Sequence, residues 1–209
     1  MSGIDGYILA GGASSRMGRA KANLFLGGKT FVERAASALS AIAATRLFVV
    51  GNLTEKSHDL PILPDETVGE NNEQKRGAIV GLHAALSNAN ADWAAVLACD
   101  LPFVSGELFK KLASFDRKDF DAVVPVQQDL RAQPLCALYR RESCLPIVET
   151  MLAGDDWSLQ ELLRRVETRF VGFDEISSLP LAERFFFNVN TPEDFSKAQA
   201  MENEQFKNG

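Results

Sequence analysis

Tyr7-Ile8-Leu9-Ala10-Gly11-Gly12-Ala13-Ser14-Ser15-Arg16-Met17-Gly18 is the stretch that decides the reading of this chain. Tyr7 to Ala10 form a short apolar run that stops at two glycines, as a buried strand does when it turns sharply at its end. The glycines and the small side chains after them let successive backbone N–H groups approach an anion, while Arg16 and nearby Lys21 add positive charge that amides lack. The stretch therefore predicts the first strand of an α/β sheet with a triphosphate-binding loop at its carboxyl end. An ordinary Gly-rich turn is the competing reading, and the two basic residues weigh against it.

Two better-known phosphate motifs are excluded by spacing. A dinucleotide fingerprint needs G-x-G-x-x-G, which Gly11-Gly12-Ala13 breaks at once. Gly28-Lys29-Thr30 imitates the end of a P-loop, but Asn23 stands where the motif's first glycine belongs. Gly27-Gly28 then reads as a turn, with Lys29 solvated.

Outward from the loop, strands and helices alternate. Thr30 and Glu33 form a capping box, after which Phe31, Ala35, Leu39 and Ile42 share one helical face. Strand Leu47 to Val50 follows, then a helix marked by Ile79, Leu82 and Leu86, then the buried strand Ala94 to Ala98, which Pro102 terminates. Gly106 to Phe115 reads as a helix, Ala122 to Val126 and Leu135 to Tyr139 as strands, and Arg141 to Leu152 as a helix. Capping boxes at Ser158 with Glu161 and at Thr191 with Asp194 open two more, the second with Pro192 at its first position. This alternation predicts a three-layer, Rossmann-like α/β domain with a mainly parallel sheet and ligands outside the carboxyl ends of the strands. One domain over residues 1–209 is expected, with a mobile loop at 66–76 and a frayed tail at 202–209.

Composition narrows the function. The 209 residues are 46% hydrophobic and 24% charged, ordinary for a packed soluble protein. A net charge of −6 disfavours a nucleic-acid surface, although a local pocket and a metal can still hold a small anion. No run approaches the roughly 18 apolar residues that span a bilayer, and Met1 to Tyr7 lacks the basic start and apolar core of a signal peptide. A cytoplasmic protein without a membrane partner is expected. Cys99, Cys136 and Cys144 are odd in number and form no C-x-x-C pair, so they read as buried free thiols. His58 and His83 read as structural or solvated, because neither has an identifiable acid/base partner.

Asp100 ends the strand Ala94 to Ala98, at the face where the Gly-rich loop also opens. A carboxylate beside a triphosphate is repulsive unless a hard cation bridges them, so the pattern points to magnesium; a turn-forming Asp before Leu101-Pro102 is the alternative. Asn188 and Asn190 flank Val189 and point to one side of an extended segment, where they cap a metal or ligand or simply lead into a capped helix.

These residues carry a resemblance. Leu9 to Gly18 with Lys21, Asn52, Pro64-Asp65, Gly77 to Leu82, Cys99-Asp100-Leu101-Pro102, Gln133-Pro134-Leu135 and Asn188-Val189-Asn190-Thr191-Pro192-Glu193-Asp194 are similar, in order, to motifs of the molybdenum cofactor guanylyltransferases. The resemblance implies a fold of the nucleotide-diphospho-sugar transferase type. It also implies transfer of GMP from GTP to the terminal phosphate of molybdopterin or the molybdenum cofactor, with pyrophosphate released. In that reading Leu9, Ala10, Gly11, Gly12, Lys21, Asn52, Asp65 and Asp100 bind the nucleotide, and Asp100 holds Mg2+. Arg16, Lys21 and Asp100 are catalytic, and Gly81, Asn188 and Asn190 support the second substrate or the metal. Other cofactor-biosynthesis proteins and recipient redox enzymes are the implied partners. The chain departs from the family pattern at Ala20, where Asp is usual, and at Gly77-Ala78-Ile79, where Gly-Pro-Leu is usual.

Three rivals share parts of this pattern. A cytidylyltransferase for the same cofactor resembles Leu-Ala-Ala-Gly where this chain has Leu9-Ala10-Gly11-Gly12, so Gly11 favours guanine. Sugar-nucleotide pyrophosphorylases usually carry Pro where Ala20 stands. A non-catalytic nucleotide-binding module draws support from Ala20 alone.

Overall fold

A computed structural model describes residues 3–11, 21–43, 46–51, 58–65, 67–68, 74–75, 77–115, 118–154 and 156–207. In chain order the strands are β1 (Ile4–Leu9), β2 (Phe25–Leu26), β3 (Lys29–Thr30), β4 (Leu47–Val50), β5 (Ile62–Leu63), β6 (Thr67–Val68), β7 (Gln74–Lys75), β8 (Trp93–Ala98), β9 (Ala122–Pro125), β10 (Cys136–Arg140) and β11 (Thr168–Val171). The helices are α1 (Phe31–Leu39), α2 (Ala78–Asn88), α3 (Gly106–Ala113), α4 (Arg141–Ala153), α5 (Leu159–Arg165), α6 (Phe173–Ile176) and α7 (Pro192–Lys207).

The main sheet has seven strands in the order β11-β9-β10-β8-β1-β4-β5. β1 pairs in parallel with β4 on one side and β8 on the other, and β4 with β5. All six residues of β8 and five of the six of β1 are buried, the continuous apolar run required of strands covered on both faces. β10 runs antiparallel to both β8 and β9. Its reversal follows from the connection: residues 126–135 join β9 to β10 directly, without the helix a parallel crossover needs. β11 then returns parallel to β9. The mainly parallel, three-layer expectation therefore holds.

Side-chain alternation divides the core. Ile8, Leu97 and Leu138 face α1 and α3, while Tyr7, Val96 and Tyr139 face α2 and α4. Beneath the amino ends of the strands, Asp5 is 2% exposed and accepts from Asn90 N at 2.8 Å, Ala91 N at 3.1 Å and Arg46 Nη1 at 3.3 Å, so its buried charge is fully engaged.

The local signals for helix starts are mostly realised. Thr30 Oγ1 accepts from Glu33 N at 3.1 Å and Glu33 Oε2 accepts from Thr30 N at 2.6 Å. Thr191 and Asp194 make the same reciprocal pair at 3.1 and 2.9 Å. Ser158 Oγ accepts from Glu161 N at 3.2 Å, but the Glu161 carboxylate turns to Arg164 and Arg165, so that box is only half made.

α7 runs to Lys207, and within the stretch expected to fray Glu202 accepts from both terminal nitrogens of Arg34; residues 208–209 lie outside the described residues. Of the stretch 66–76, Thr67–Val68 and Gln74–Lys75 pair as an antiparallel ribbon, and the rest lies outside the described residues.

Candidate functional site

The register of the parallel strands places their carboxyl ends along one edge. Ala10 N donates to Val50 O at 2.9 Å, Gly51 N to Leu63 O at 2.8 Å, and Cys99 N to Leu9 O at 3.0 Å. Gly11, Gly51, Asp65 and Asp100, each just past a strand end, therefore share one edge of the sheet. This is where an open α/β sheet binds ligands.

On one side of that edge Asp65, 7% exposed, lies against Gly11. A Cβ added to Gly11 would stand 2.0 Å from Asp65 Oδ2, so the glycine makes room for this carboxylate. The resemblance ties Gly11 to guanine; in the structure the space left by its missing side chain is taken by Asp65. Gly51, which the sequence reading did not single out, completes the turn. Its φ of +145° is a glycine conformation, and a Cβ there would fall 2.8 Å from Gly11 N. A glycine directly after β4 and before Asn52 was the available signal.

On the other side lies a charged cluster assembled from three distant segments. Lys21 opens a short 3-10 turn, Asp100 follows β8, and Asn190 precedes α7. Lys21 Nζ donates to Asn190 Oδ1 at 2.6 Å and lies 3.6 Å from Asp100 Oδ2. Val189 N donates to Asp100 O at 2.9 Å, which docks the 187–190 segment beside the Asp100 turn. Val189 is buried while Asn188 and Asn190 are exposed, so the two asparagines share the outer side, and Asn190 is the one that meets Lys21. Burial raises the Asp100 carboxyl above the usual carboxylate range, and the Lys21 ammonium offsets this only partly. Beside it, burial pushes the Cys99 thiol up to about 12.

Other expected site residues fare differently. Leu9 is buried and Gly81 packs over it, an added Cβ at Gly81 falling 3.4 Å from Leu9 Cδ2. Gly81 thus brings α2 close to β1. Ala10 is half-buried and Gly11 is exposed on the open edge. Gly12, Arg16, Ala20 and Asn52 lie outside the described residues. Lys29 is exposed on the β2–β3 hairpin, as expected. His83 lies on α2 with Nε2 3.8 Å from Glu149 Oε1, away from the charged cluster's elements.

The cluster can neutralise an anion and accept a hard cation. Asp100 is a half-buried carboxylate whose charge is only partly compensated by Lys21, a donor that fits a hard divalent cation. Among the described residues no three His, Cys, Asp or Glu side chains converge into an all-protein metal cage.

Residues 6–169 match the family model described as MobA-like NTP transferase domain. A protein of Pelotomaculum thermopropionicum named "Probable molybdenum cofactor guanylyltransferase" is 33% identical over 94% of this chain and 92% of its own length. A protein of Desulfosudis oleivorans named "Molybdenum cofactor guanylyltransferase" is 28% identical over 96% of each. Among solved structures, molybdopterin-guanine dinucleotide biosynthesis protein A from Archaeoglobus fulgidus superposes with a TM-score of 0.76 at 23% identity, covering 96% of this chain and 99% of that one.

Proposed function

Because the chain belongs to the MobA-like NTP transferase family, we propose that it transfers GMP from GTP to the terminal phosphate of molybdopterin, releasing pyrophosphate and forming a molybdopterin guanine dinucleotide. The observation that carries the reading is the Lys21–Asp100–Asn190 cluster at the carboxyl end of β8, beside the turn of β1 where the Gly-rich loop begins.

An oxygen of the acceptor phosphate attacks the α-phosphorus of GTP in line. The new P–O bond forms as the bond from the α-phosphorus to its bridging oxygen breaks, and pyrophosphate carries away the electron pair. The attacking phosphate is already anionic at neutral pH, so the reaction needs positioning and charge neutralisation rather than a general base. This fits a chain with two histidines. The Lys21 ammonium has three donors. One is fixed on Asn190 and another faces Asp100, which leaves a third to meet phosphate oxygens on the open edge. Asp100 is the residue that would hold Mg2+, whose charge would neutralise the triphosphate and its leaving group. Arg16 and the amides of the Gly-rich loop are proposed to cradle the same phosphates, and Asn52 and Asp65 to bind the nucleoside. The proposed setting is the cytoplasm, with redox enzymes receiving the product; among the described residues no helix is long and apolar enough to cross a membrane.

Ligand-dependent thermal unfolding tests the nucleotide. A ligand bound only to the native state stabilises by about 2.7 kcal/mol at a hundred times its Kd. GTP with magnesium should raise Tm at concentrations where CTP and ATP do not. An equal or larger shift with CTP would favour cytidylyl transfer.

A further inference from the structure

Behind the charged cluster, one guanidinium joins the segments that build it. Arg34 on α1 donates through Nε to Pro102 O at 2.8 Å, in the turn that follows Asp100. Its Nη1 donates to Leu26 O at 3.0 Å on β2, the strand shortly after Lys21. Nη1 and Nη2 also grip Glu202 of α7 as a two-pronged pair, at 2.9 and 3.0 Å. The guanidinium lies over Phe103, 5.8 Å from the ring centroid, and Phe103 meets Phe187 edge-on at 6.2 Å, next to the segment that carries Asn190. Glu202 is 7% exposed and abuts Gly27 at the tip of the β2–β3 hairpin, where a Cβ would stand 2.1 Å from Glu202 Oε1.

All three segments that supply Lys21, Asp100 and Asn190 are thus tied to one partly buried pair. A buried ion pair is weak evidence for stability, because desolvation offsets much of the attraction, and fixing a register is its best-attested use. Arg34 suits that use: its planar fork meets the carboxylate with two nitrogens while Nε and the shared Nη1 point at two backbone carbonyls. A lysine could not reach all of these at once.

We propose that Arg34 and Glu202 are positioning residues for the transfer step: their pair holds α7 against the Asp100 turn and the β2–β3 hairpin, and so fixes where Asn190 presents the Lys21 ammonium. The inference rests on the proposed nucleotidyl transfer. The turns that carry Gly11 and Asp65 belong to β1, β4 and β5, and among the described residues no hydrogen bond ties them to the pair, so the part of GTP binding that they supply is kept when the pair is broken. A misplacement of about 1 Å at a charge-stabilising group can cost on the order of a hundred-fold in rate. Glu202→Gln removes the charge and one of the two bonds, and lowers kcat by about ten-fold or more while KM for GTP changes several-fold less than kcat.

The test is a double-mutant cycle in the full chain, with GTP, magnesium and molybdopterin, comparing wild type, Glu202→Gln, Asn190→Ala and the combination. Arg184→Gln serves as the control, since Arg184 Nη1 donates to Met201 O at 2.8 Å and supports α7 without reaching the Asp100 turn. Folding is followed by thermal unfolding and circular dichroism. The expected result is a loss in Glu202→Gln that falls mainly on kcat rather than KM, and a combined variant no slower than Asn190→Ala alone. Arg184→Gln should lower Tm but keep kcat. Unchanged kcat in Glu202→Gln, losses that multiply in the combination, or an equal kcat loss in the control would each overturn the positioning role. If Glu202→Gln does not fold, Arg34→Lys enters the same cycle, with the same outcomes expected. Failure of the wild type to transfer GMP would instead overturn the proposed function on which the inference rests.

Discussion

Gly11→Ala is the substitution whose consequence the structure redefines. A methyl group there would stand 2.0 Å from Asp65 Oδ2 and 3.1 Å from Asp65 Cγ, with the Gly51 Cα at 3.7 Å on another side. Carbon and oxygen that are not bonded sit at roughly 3.3 Å or more, so the carboxylate must move by about 1 Å. It has little room to do so, because Asp65 is 7% exposed. Overpacking of this kind costs about 1–3 kcal/mol. If the displaced groups line the nucleotide site, that corresponds to about five- to hundred-and-fifty-fold in kcat/KM. The assay is pyrophosphate release with molybdopterin as acceptor, run with GTP and with CTP on wild type, Gly11→Ala, Asp65→Ala and the double variant. Because the collision is with a protein carboxylate, both triphosphates should suffer similar losses, and the double variant should lose no more than Asp65→Ala alone. A loss confined to GTP, or losses that multiply in the double variant, would refute the steric account and return Gly11 to recognition of the base.

Other consequences can be checked independently. Asp100→Asn should abolish nearly all turnover at saturating magnesium. Burial raises the Asp100 pKa in the folded chain, so the stability tied to its protonated form is complete below the ordinary carboxylate pKa and is lost as pH rises through the raised value. At neutral pH the charge therefore weakens the fold, and Asp100→Asn should keep or raise Tm at pH 7, with the difference from wild type shrinking near pH 4; a lowered Tm with turnover intact would contradict both parts. Lys21→Ala should lower kcat/KM for GTP by about a hundred-fold, the scale seen when one preorganised donor is lost, whereas a change of only a few-fold would reduce Lys21 to a surface residue. The three thiols are buried, with Cys99 and Cys144 pushed up to about 12 and Cys136 higher still, so iodoacetamide at pH 8 should label none of them until the protein unfolds. Labelling of the native protein at the rate of a free thiol would show that the core opens.

The fold was largely legible because its signals are local. The Thr30–Glu33 box, the apolar runs of β1, β4 and β8, and Pro102 after Asp100 each act over a few residues, and each appears where the spacing puts it. What escaped were elements with weak patterns. β11 carries Thr168 and Arg169 half-buried and Phe170 45% exposed, an edge strand without the alternation that identifies a strand. β5 is only two residues long. The site was legible as residue types but not as contacts. Lys21 and Asn190 are 169 positions apart, and nothing in either motif says that one side chain holds the other. Gly11 and Asp65 were both named, yet their mutual contact, which changes the meaning of the glycine, exists only in three dimensions. Glu202 fell in a segment read as a frayed tail because it lies near the chain terminus, although it ties α7 to the turn behind Asp100.

The most direct test of the central claim is pyrophosphate release from GTP, CTP, ATP and UTP in turn, with magnesium and molybdopterin, and with the mass of the pterin product measured in each case. GTP should give stoichiometric pyrophosphate and a product heavier by one GMP, with Asp100→Asn giving neither. Release from CTP in preference to GTP, or GTP consumption without a GMP-bearing pterin, would contradict the assignment.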